Sequence, residues 1–389
     1  MNMAQRLKTD RILFGAVVAL VSFGLVMIYS ASSVHAWSPQ PGAPLQFRSI
    51  WYFTVRQLAW AVAAMALMMT LKKTDYRKLQ TPAVAFWTLG VASLLLILVY
   101  FLDPEHHRWV RFGGPFGLQP SELAKPALVI FVAFFVTWRA RAINNPRYTL
   151  IPAAVVIGAV ISAVVVPDLG TAAVLAAAAL VVFFVAGLEW RYCFIVAGIA
   201  LMGLGVAIWH EPYRLKRVVQ WVDPQYKVID KVDPRGWIRA RVALATAVAD
   251  TSYQGGESQV AVGSGGVFGL GLMNGRQKLL VPQAHTDFIY AVVGEELGLF
   301  GAAALAIGFG VIFWRGLRAV LRTRDDFGRY LALGATVVVV VQALVNMTVV
   351  LGLAPTKGIP LPLISYGGSS LLSTLALMGI LMNVSEHVE

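Results

Sequence analysis

The chain has 389 residues, of which 58% are hydrophobic and only 13% charged, with 11 Trp and a mean hydropathy of +0.69. Soluble domains carry roughly 25% charged residues, so the composition excludes an ordinary soluble enzyme and describes an all-α polytopic membrane protein. A net charge of +12 would point to nucleic acid in a soluble chain, but no nucleic acid is implied here, because the basic residues of a membrane protein are first sorted by side of the bilayer.

A spanning helix needs about 20 mostly apolar residues, and ten segments meet that need or come close. The first, Ile12 to Ser33, follows Arg6, Lys8 and Arg11 and ends near small residues at Val34-His35-Ala36, like a signal peptide. Its apolar core is too long for one, and it is expected to remain as a helix. The second runs from Trp51 to Leu71, the third from Ala83 to Leu102 and the fourth from Ser121 to Trp138. The fifth and sixth, Leu150 to Val166 and Gly170 to Gly187, are separated only by Pro167-Asp168-Leu169 and form a tight hairpin. The single Cys193 lies in the seventh, Tyr192 to Trp209, and leaves no disulfide framework, CxxC motif or thiolate metal site. The chain then leaves the bilayer from 210 to 286, a large extracytoplasmic loop within a single transmembrane domain that covers 1–389. The eighth span starts at Asp287 and runs to Trp314, the ninth covers Tyr330 to Leu351 and the tenth Ile364 to Asn383.

Orientation follows from Lys and Arg in the short connections. The N-terminus, Lys72-Lys73, Arg77-Lys78, Arg139, Arg141, Arg147, Arg191 and the Arg315 to Arg329 group share one side; Arg48, Arg108, Arg111 and Lys357 face the other. Both termini are therefore expected in the cytoplasm. The cations between 210 and 286 do not contradict this, because long loops escape the rule.

The outward face collects most of the unusual residues. His106-His107-Arg108-Trp109-Val110-Arg111 and Gly113-Gly114-Pro115 precede Gln119-Pro120-Ser121-Glu122-Leu123-Ala124-Lys125. Pro120 suits the first position of a helix and Glu122 its first turn, while Lys125, three residues on, needs a partner on the same face. This is either a local ion pair that fastens the helix or a polar cavity that holds an anion. Asp168 serves as a turn and cap residue or as a wall of the same cavity. Tyr213-Arg214-Leu215-Lys216-Arg217 is a basic rim or a place for a headgroup phosphate. The glycines Gly263-Ser264-Gly265-Gly266 and Gly269-Leu270-Gly271 miss both nucleotide-binding spacings, so ATP is not implied.

The stretch Gln283-Ala284-His285-Thr286-Asp287 runs straight into an apolar helix that carries Glu295 and Glu296. An acid at the mouth of a membrane helix is a functional candidate, yet Asp is also a common helix N-cap, and spacing alone leaves both readings open. Between the ninth and tenth spans, Gly352 to Pro362 holds three prolines and leads into Ser365-Tyr366-Gly367-Gly368-Ser369-Ser370. Broken backbone at membrane depth survives only under the cover of protein or a water-filled cavity, and exposed amides beside Lys357 would favour an anion.

Taken in order, His107-Arg108-Trp109, the Gln119 to Lys125 stretch, Pro167 to Thr171, Ala284 to Ile289, Gly294-Glu295-Glu296-Leu297-Gly298 and Pro355-Thr356-Lys357-Gly358 through Ser370 closely resemble the SEDS proteins (shape, elongation, division and sporulation) of bacterial cell-wall synthesis. The resemblance covers essentially all ten spans, and Pro355-Thr356-Lys357-Gly358 looks like the division branch rather than the elongation branch. It implies a peptidoglycan glycosyltransferase of the inner membrane that joins lipid II units at the outer face, in septal synthesis or, as the alternative, in elongation. The family's essential acid falls on Asp287 as general base. Arg108, Glu122, Lys125, Asp168, Arg214, Lys216, His285, Thr286, Lys357 and Ser365 form the expected substrate-binding set.

A leaving pyrophosphate needs cations or a metal. A divalent cation such as Mg or Mn would serve, although no ligand cluster in the sequence marks a site for one. A base working near pH 7 needs a raised carboxyl pKa, and desolvation at the membrane boundary supplies it. The implied partners are lipid II, a class B penicillin-binding protein transpeptidase and other divisome membrane proteins. Val222 to Ser252, with Asp223-Pro224 and Asp233-Pro234, is longer than expected of the family. A lipid II flippase would also use outward cations and broken helices, and a scaffold that recruits a transpeptidase would tolerate loss of Asp287.

Overall fold

The computed structural model describes residues 10–37, 50–103, 107–111, 117–223, 225–233, 235–245, 251–280 and 284–387. Arg6, Lys8, Arg48, His106, Gly113-Gly114-Pro115, Pro224, Pro234 and Gln283 lie outside them.

Long apolar runs give long helices, and local chemistry sets where they stop. α1 spans Arg11–Trp37 and α2 Trp51–Lys73, the latter ending on its two lysines. Thr81 caps α3, Pro82–Leu102, which opens on proline. A short hairpin pairs β1, Val110–Arg111, with β2, Gly117–Leu118, and leads into α4, Pro120–Trp138. α5, Ile151–Val165, and α6, Leu169–Val185, form the expected hairpin. α7 is Trp190–His210, α12 Ile289–Arg322, α13 Asp326–Val350 and α14 Gly368–Glu386. Among the described residues nine helices are long and apolar enough to cross a membrane, and α6, with 17 residues, is shorter. The chain is a polytopic membrane protein.

Two starts differ from the sequence reading. α12 begins at Ile289 with Phe288 in the capping position and no side-chain cap, so Asp287 is not a helix cap. α14 begins at Gly368 rather than Ile364, because the prolines and glycines before it carry irregular backbone deeper into the bundle.

Burial sorts the helices into layers. α4, α13 and α14 are buried on most of their surface, whereas α7 has Cys193 as its one buried residue among those described. A helix that is apolar all round belongs in a core or in lipid, and these helices divide between the two. α2, α3, α6 and α12 pack against the central three, and α1, α5 and α7 lie further out. Because successive spans alternate in direction, the starts of α2, α4, α6, α12 and α14 and the ends of α3, α5, α7 and α13 share one end of the bundle, here the site end.

The 210–286 segment is not an open loop. Its first part folds as α8, Pro212–Val222, α9, Ile229–Val232, and α10, Trp237–Ala243, around a small core of Leu215, Val219 and Val242. Asp223 accepts hydrogen bonds from the amides of Lys227, Val228 and Ile229 at 3.0, 2.7 and 2.9 Å. Asp233 accepts one from Ile238 at 2.6 Å. Asp223 and Asp233 thus act as repeated caps.

Its second part, α11 at Thr251–Gly265 and the turn after it, lies along α12. α12 is interrupted at Gly298, with φ 64° and ψ −157°, and the carbonyls of Glu295 and Glu296 accept the Leu270 and Gly271 amides at 3.0 and 2.9 Å. The Glu295 carboxylate accepts the Arg276 and Gln277 amides at 2.5 and 2.8 Å. Glu296 pairs with Lys278 at 2.7 Å and accepts the Ser30 hydroxyl at 2.5 Å.

Candidate active site

Polar side chains projecting from buried helices hold the irregular 351–367 segment at the site end. On α13, Gln342 donates to the Pro360 carbonyl at 2.8 Å, and Asn346 donates to the Ile359 carbonyl at 2.7 Å. The Ser365 hydroxyl accepts the Leu361 amide at 2.8 Å and donates to the Thr286 carbonyl at 2.6 Å. From α2, Gln57 donates to the Ser365 carbonyl at 3.3 Å and accepts the Gly367 amide at 3.1 Å. The Tyr366 amide donates to the His285 carbonyl at 3.0 Å. Backbone that lacks helical partners is thereby satisfied inside the bundle, the condition for its survival at this depth. The same bonds tie the 357–367 stretch to the 285–287 stretch.

Asp287 sits at this junction, partly buried, with its carbonyl held by Asn346 at 2.7 Å. Its carboxylate lies against the backbone of Gly358, so closely that a Cβ on that glycine would overlap the Oδ2 atom. Burial raises the Asp287 carboxyl above the ordinary carboxylate range. Arg108 pulls it back down, the neighbouring Asp168 pushes it further up, and Lys357 and Arg217 pull down in turn. The acid is thus close to a second carboxylate and to three cations from three different connections.

Asp168 is the cap residue that the turn called for, and it also faces Lys357. It caps α6, accepting the Gly170 and Thr171 amides at 3.1 Å each and the Thr171 hydroxyl at 2.8 Å, and it stands 4.0 Å from the Lys357 ammonium. Burial works to raise its carboxyl, but Lys357, Arg108 and the Thr171 bonds outweigh that and hold it low. Lys357 keeps 24% of its side chain exposed; desolvation brings its ammonium down to about 8 against the pull of Asp168, with Arg214, Arg217 and Arg108 adding to the fall. Arg108 and Trp109 are fixed by their amides, which donate to Asp103 at 3.2 and 3.1 Å.

Not every member of the expected set joins this group. Glu122 and Lys125 are each 1% exposed and form an ion pair at 2.7 Å, completed by Gln342 at 2.6 Å from the ammonium and Ser373 at 2.9 Å from the carboxylate. They are a closed joint between α4, α13 and α14, the local ion pair rather than an anion-holding cavity. Arg214 directs its guanidinium to the carbonyls of Ala207, Val165 and Val166 at 3.3, 3.2 and 2.8 Å, fastening α8 to the ends of α5 and α7. Lys216, half-buried, lies two residues after Arg214 on α8. The His285 ring packs against Phe53 and Tyr366, and Thr286 and Ser365 join strands of irregular backbone.

Four residues enter the site without having been in the expected set. Arg217 donates to the Thr356 carbonyl at 3.4 Å and acts on Asp287. Gln57, Gln342 and Asn346 supply the clamps, and their signal is an amide in an otherwise apolar helix, which has to find a partner.

Among the described residues no group of three or more His, Cys, Asp or Glu could hold a metal ion. Asp287 and Asp168 are interleaved with the chain's own cations, and this donor set does not fit a resident divalent cation. The arrangement sets a partly buried carboxylate among cations contributed by three different connections.

The fold has counterparts in known proteins. Residues 10–389 match the profile of the FtsW, RodA and SpoVE cell cycle proteins. The chain belongs to this family. Members similar to it include a probable peptidoglycan glycosyltransferase FtsW of Geobacter metallireducens, 37% identical with 100% of this chain and 98% of that protein covered. The stage V sporulation protein E of Bacillus subtilis is 34% identical, with 97% of each covered. Among solved structures of the family, rod shape determining protein RodA of Thermus thermophilus superposes with a TM-score of 0.63 at 26% identity over 98% of each chain. A chain of a peptidoglycan synthase complex that coordinates polymerization and crosslinking superposes with a TM-score of 0.72 at 27% identity over 97% of each.

Proposed function

We propose that the chain is a peptidoglycan glycosyltransferase that polymerises lipid II during septal wall synthesis, working at the outer face of the cytoplasmic membrane with both termini inside. The observation that carries this is the Asp287 carboxylate: it caps no helix, its pKa is raised by burial, and Arg108, Lys357 and Arg217 surround it. In the reaction it accepts the proton of the acceptor GlcNAc 4-hydroxyl as that oxygen attacks C1 of the donor MurNAc. The C1–oxygen bond to pyrophosphate breaks as the new one forms, which inverts C1 and gives a β-1,4 link. Undecaprenyl pyrophosphate departs with the bonding pair, and fixed cations aimed at that developing charge lower the barrier. Arg108, Lys357 and Arg217 are placed to do so, while Asp168 keeps Lys357 in position. Any Mg or Mn ion would arrive with the pyrophosphate as part of the substrate. The names of the FtsW relatives support the division role, and the likeness to a synthase complex chain supports a class B penicillin-binding protein as partner, within a larger set of division membrane proteins.

The test is glycan-strand formation by the purified full chain with its class B partner and labelled lipid II. Asp287→Asn should abolish polymer without lowering the melting temperature in detergent. Polymer at the wild-type rate from Asp287→Asn would overturn the assignment. Transfer of lipid II across liposomes without polymer would make the chain a flippase, and partner binding with no turnover by the wild type would make it a scaffold.

A further inference from the structure

We propose that Asn346 is a positioning residue that sets the Asp287 carboxyl against the Lys357-Gly358 backbone; the inference rests on the reading of Asp287 as general base. α13 is an apolar run broken by two amide side chains one turn apart, Gln342 and Asn346, and residues so spaced share a helix face. Asn346 is 1% exposed, and its single amide nitrogen donates to two carbonyls, those of Asp287 and Ile359, at 2.7 Å each. One NH2 group thus joins two peptides from distant parts of the chain and fixes their separation. Gly358 lies between Lys357 and Ile359 in that second strand, and it is the residue whose backbone abuts the Asp287 carboxylate. A shift of the 357–359 strand relative to Asp287 has to break the Asn346 bridge.

The direction of the amide is fixed by chemistry. Turning it over would set its oxygen against two carbonyl oxygens, so both hydrogens are required and neither Asp nor Leu can replace them. Among the described residues the Asn346 Oδ1 atom has no hydrogen-bond partner, and burial of that acceptor is a cost that only the donor pair offsets. Gln342 is held the same way round by Lys125, whose ammonium meets its Oε1 at 2.6 Å and leaves its nitrogen for the Pro360 carbonyl. The buried Glu122–Lys125 pair therefore bears on the site through α13 without touching it.

The experiment measures lipid II turnover by the full chain with its class B partner, from pH 5 to 9, in Asn346→Leu, Asn346→Asp and Asp287→Asn. Misplacing a reacting group by about 1 Å costs roughly a hundredfold in rate. Both Asn346 variants should lose about tenfold to a hundredfold in kcat, with KM held within about threefold. The acid limb of kcat should move in both, because a displaced carboxyl changes its burial, which raises its pKa, and its distances to Arg108, Asp168, Lys357 and Arg217. In Asn346→Asp the added negative charge should leave the limb at higher pH than in Asn346→Leu. A fall in kcat that follows loss of folded protein, with the acid limb unmoved, overturns the proposal, as does a wild-type profile in either variant. If Asn346→Leu does not fold, Asn346→Asp, which conserves volume, carries the test. Full turnover in Asp287→Asn would sink the base itself, whereas an inactive Asp287→Asn beside normal Asn346 variants would sink only the positioning role.

Discussion

Lys357 is the residue on which pH should act most visibly. Its ammonium, desolvated down to about 8, loses its proton as pH rises through that value, and a departing pyrophosphate then loses a counter-charge. Turnover should fall along an alkaline limb near pH 8, and Lys357→Arg should remove the limb, because a guanidinium stays charged. The maximum should be lower, since the bulkier fork has to fit against α6, where a Cβ added to Gly170 would stand only 3.3 Å from the lysine Cε. A limb that persists in Lys357→Arg would assign it to another group. At the acid end the sign is opposite: in the proposed reaction the carboxylate of Asp287 is the active form, and burial raises its pKa, so activity should be lost as pH falls through a value above the ordinary Asp pKa of about 3.9. Gly358→Ala should cost about tenfold to a hundredfold in kcat while the protein stays folded, because the new Cβ would displace the carboxylate rather than a core side chain; an unchanged kcat would show that the close approach has no role. The sequence makes Asp287 and Lys357 legible, since a charge beside an apolar run has to be explained. It does not make Gly358 legible, because a close approach between strands 71 residues apart has no local signature.

Among the elements, α12 and the α4–α13–α14 joint carry the consequences. Hydropathy reveals α12 as a long apolar run and conceals its interruption. Gly298 adopts φ 64° and ψ −157°, a conformation essentially restricted to glycine and costing other residues of order 1–3 kcal/mol. A Cβ there would also meet the Val267 carbonyl oxygen at 2.6 Å. Gly298→Ala should therefore lower thermal stability in detergent by at least that much and detach the 266–271 turn, which limited proteolysis would detect; unchanged melting and cleavage would refute the packing. Lys125→Met makes a second test. It leaves the Glu122 carboxylate buried without its partner, a change that costs about 3–5 kcal/mol in buried pairs. The double change Glu122→Gln with Lys125→Met should recover part of the loss. Helix spans are readable because an apolar run of about 20 residues in a bilayer has one stable backbone solution. The 210–286 segment is not, because its four short helices are held by aspartate caps and by bonds to distant carbonyls, and neither leaves a periodic trace.

At the scale of the whole molecule, charge sorts by end. Lys72, Lys73, Arg139, Arg141, Arg191, Arg315, Arg322 and Arg324 all lie at the end opposite Asp287, where Asp10 also pairs with Arg315 at 2.6 Å. Insertion retains positive loops on the cytoplasmic side, so this distribution should place Asp287, the 351–367 segment and the α8 to α10 unit outside. The cations at the site end do not oppose this, because most belong to the long 210–286 segment or are paired within the site. A single cysteine makes the prediction direct to test. Cys193 is buried, so Cys193→Ala gives a background without reactive thiols, into which Lys231→Cys and Arg324→Cys, both at exposed positions, can be placed separately. In intact spheroplasts a membrane-impermeant maleimide should label Lys231→Cys and leave Arg324→Cys untouched, and permeabilisation should expose the second. Labelling in the reverse order would put the base on the cytoplasmic side. Lipid II would then have to be polymerised before it crossed the bilayer, and the surrounding cations would need a different anion.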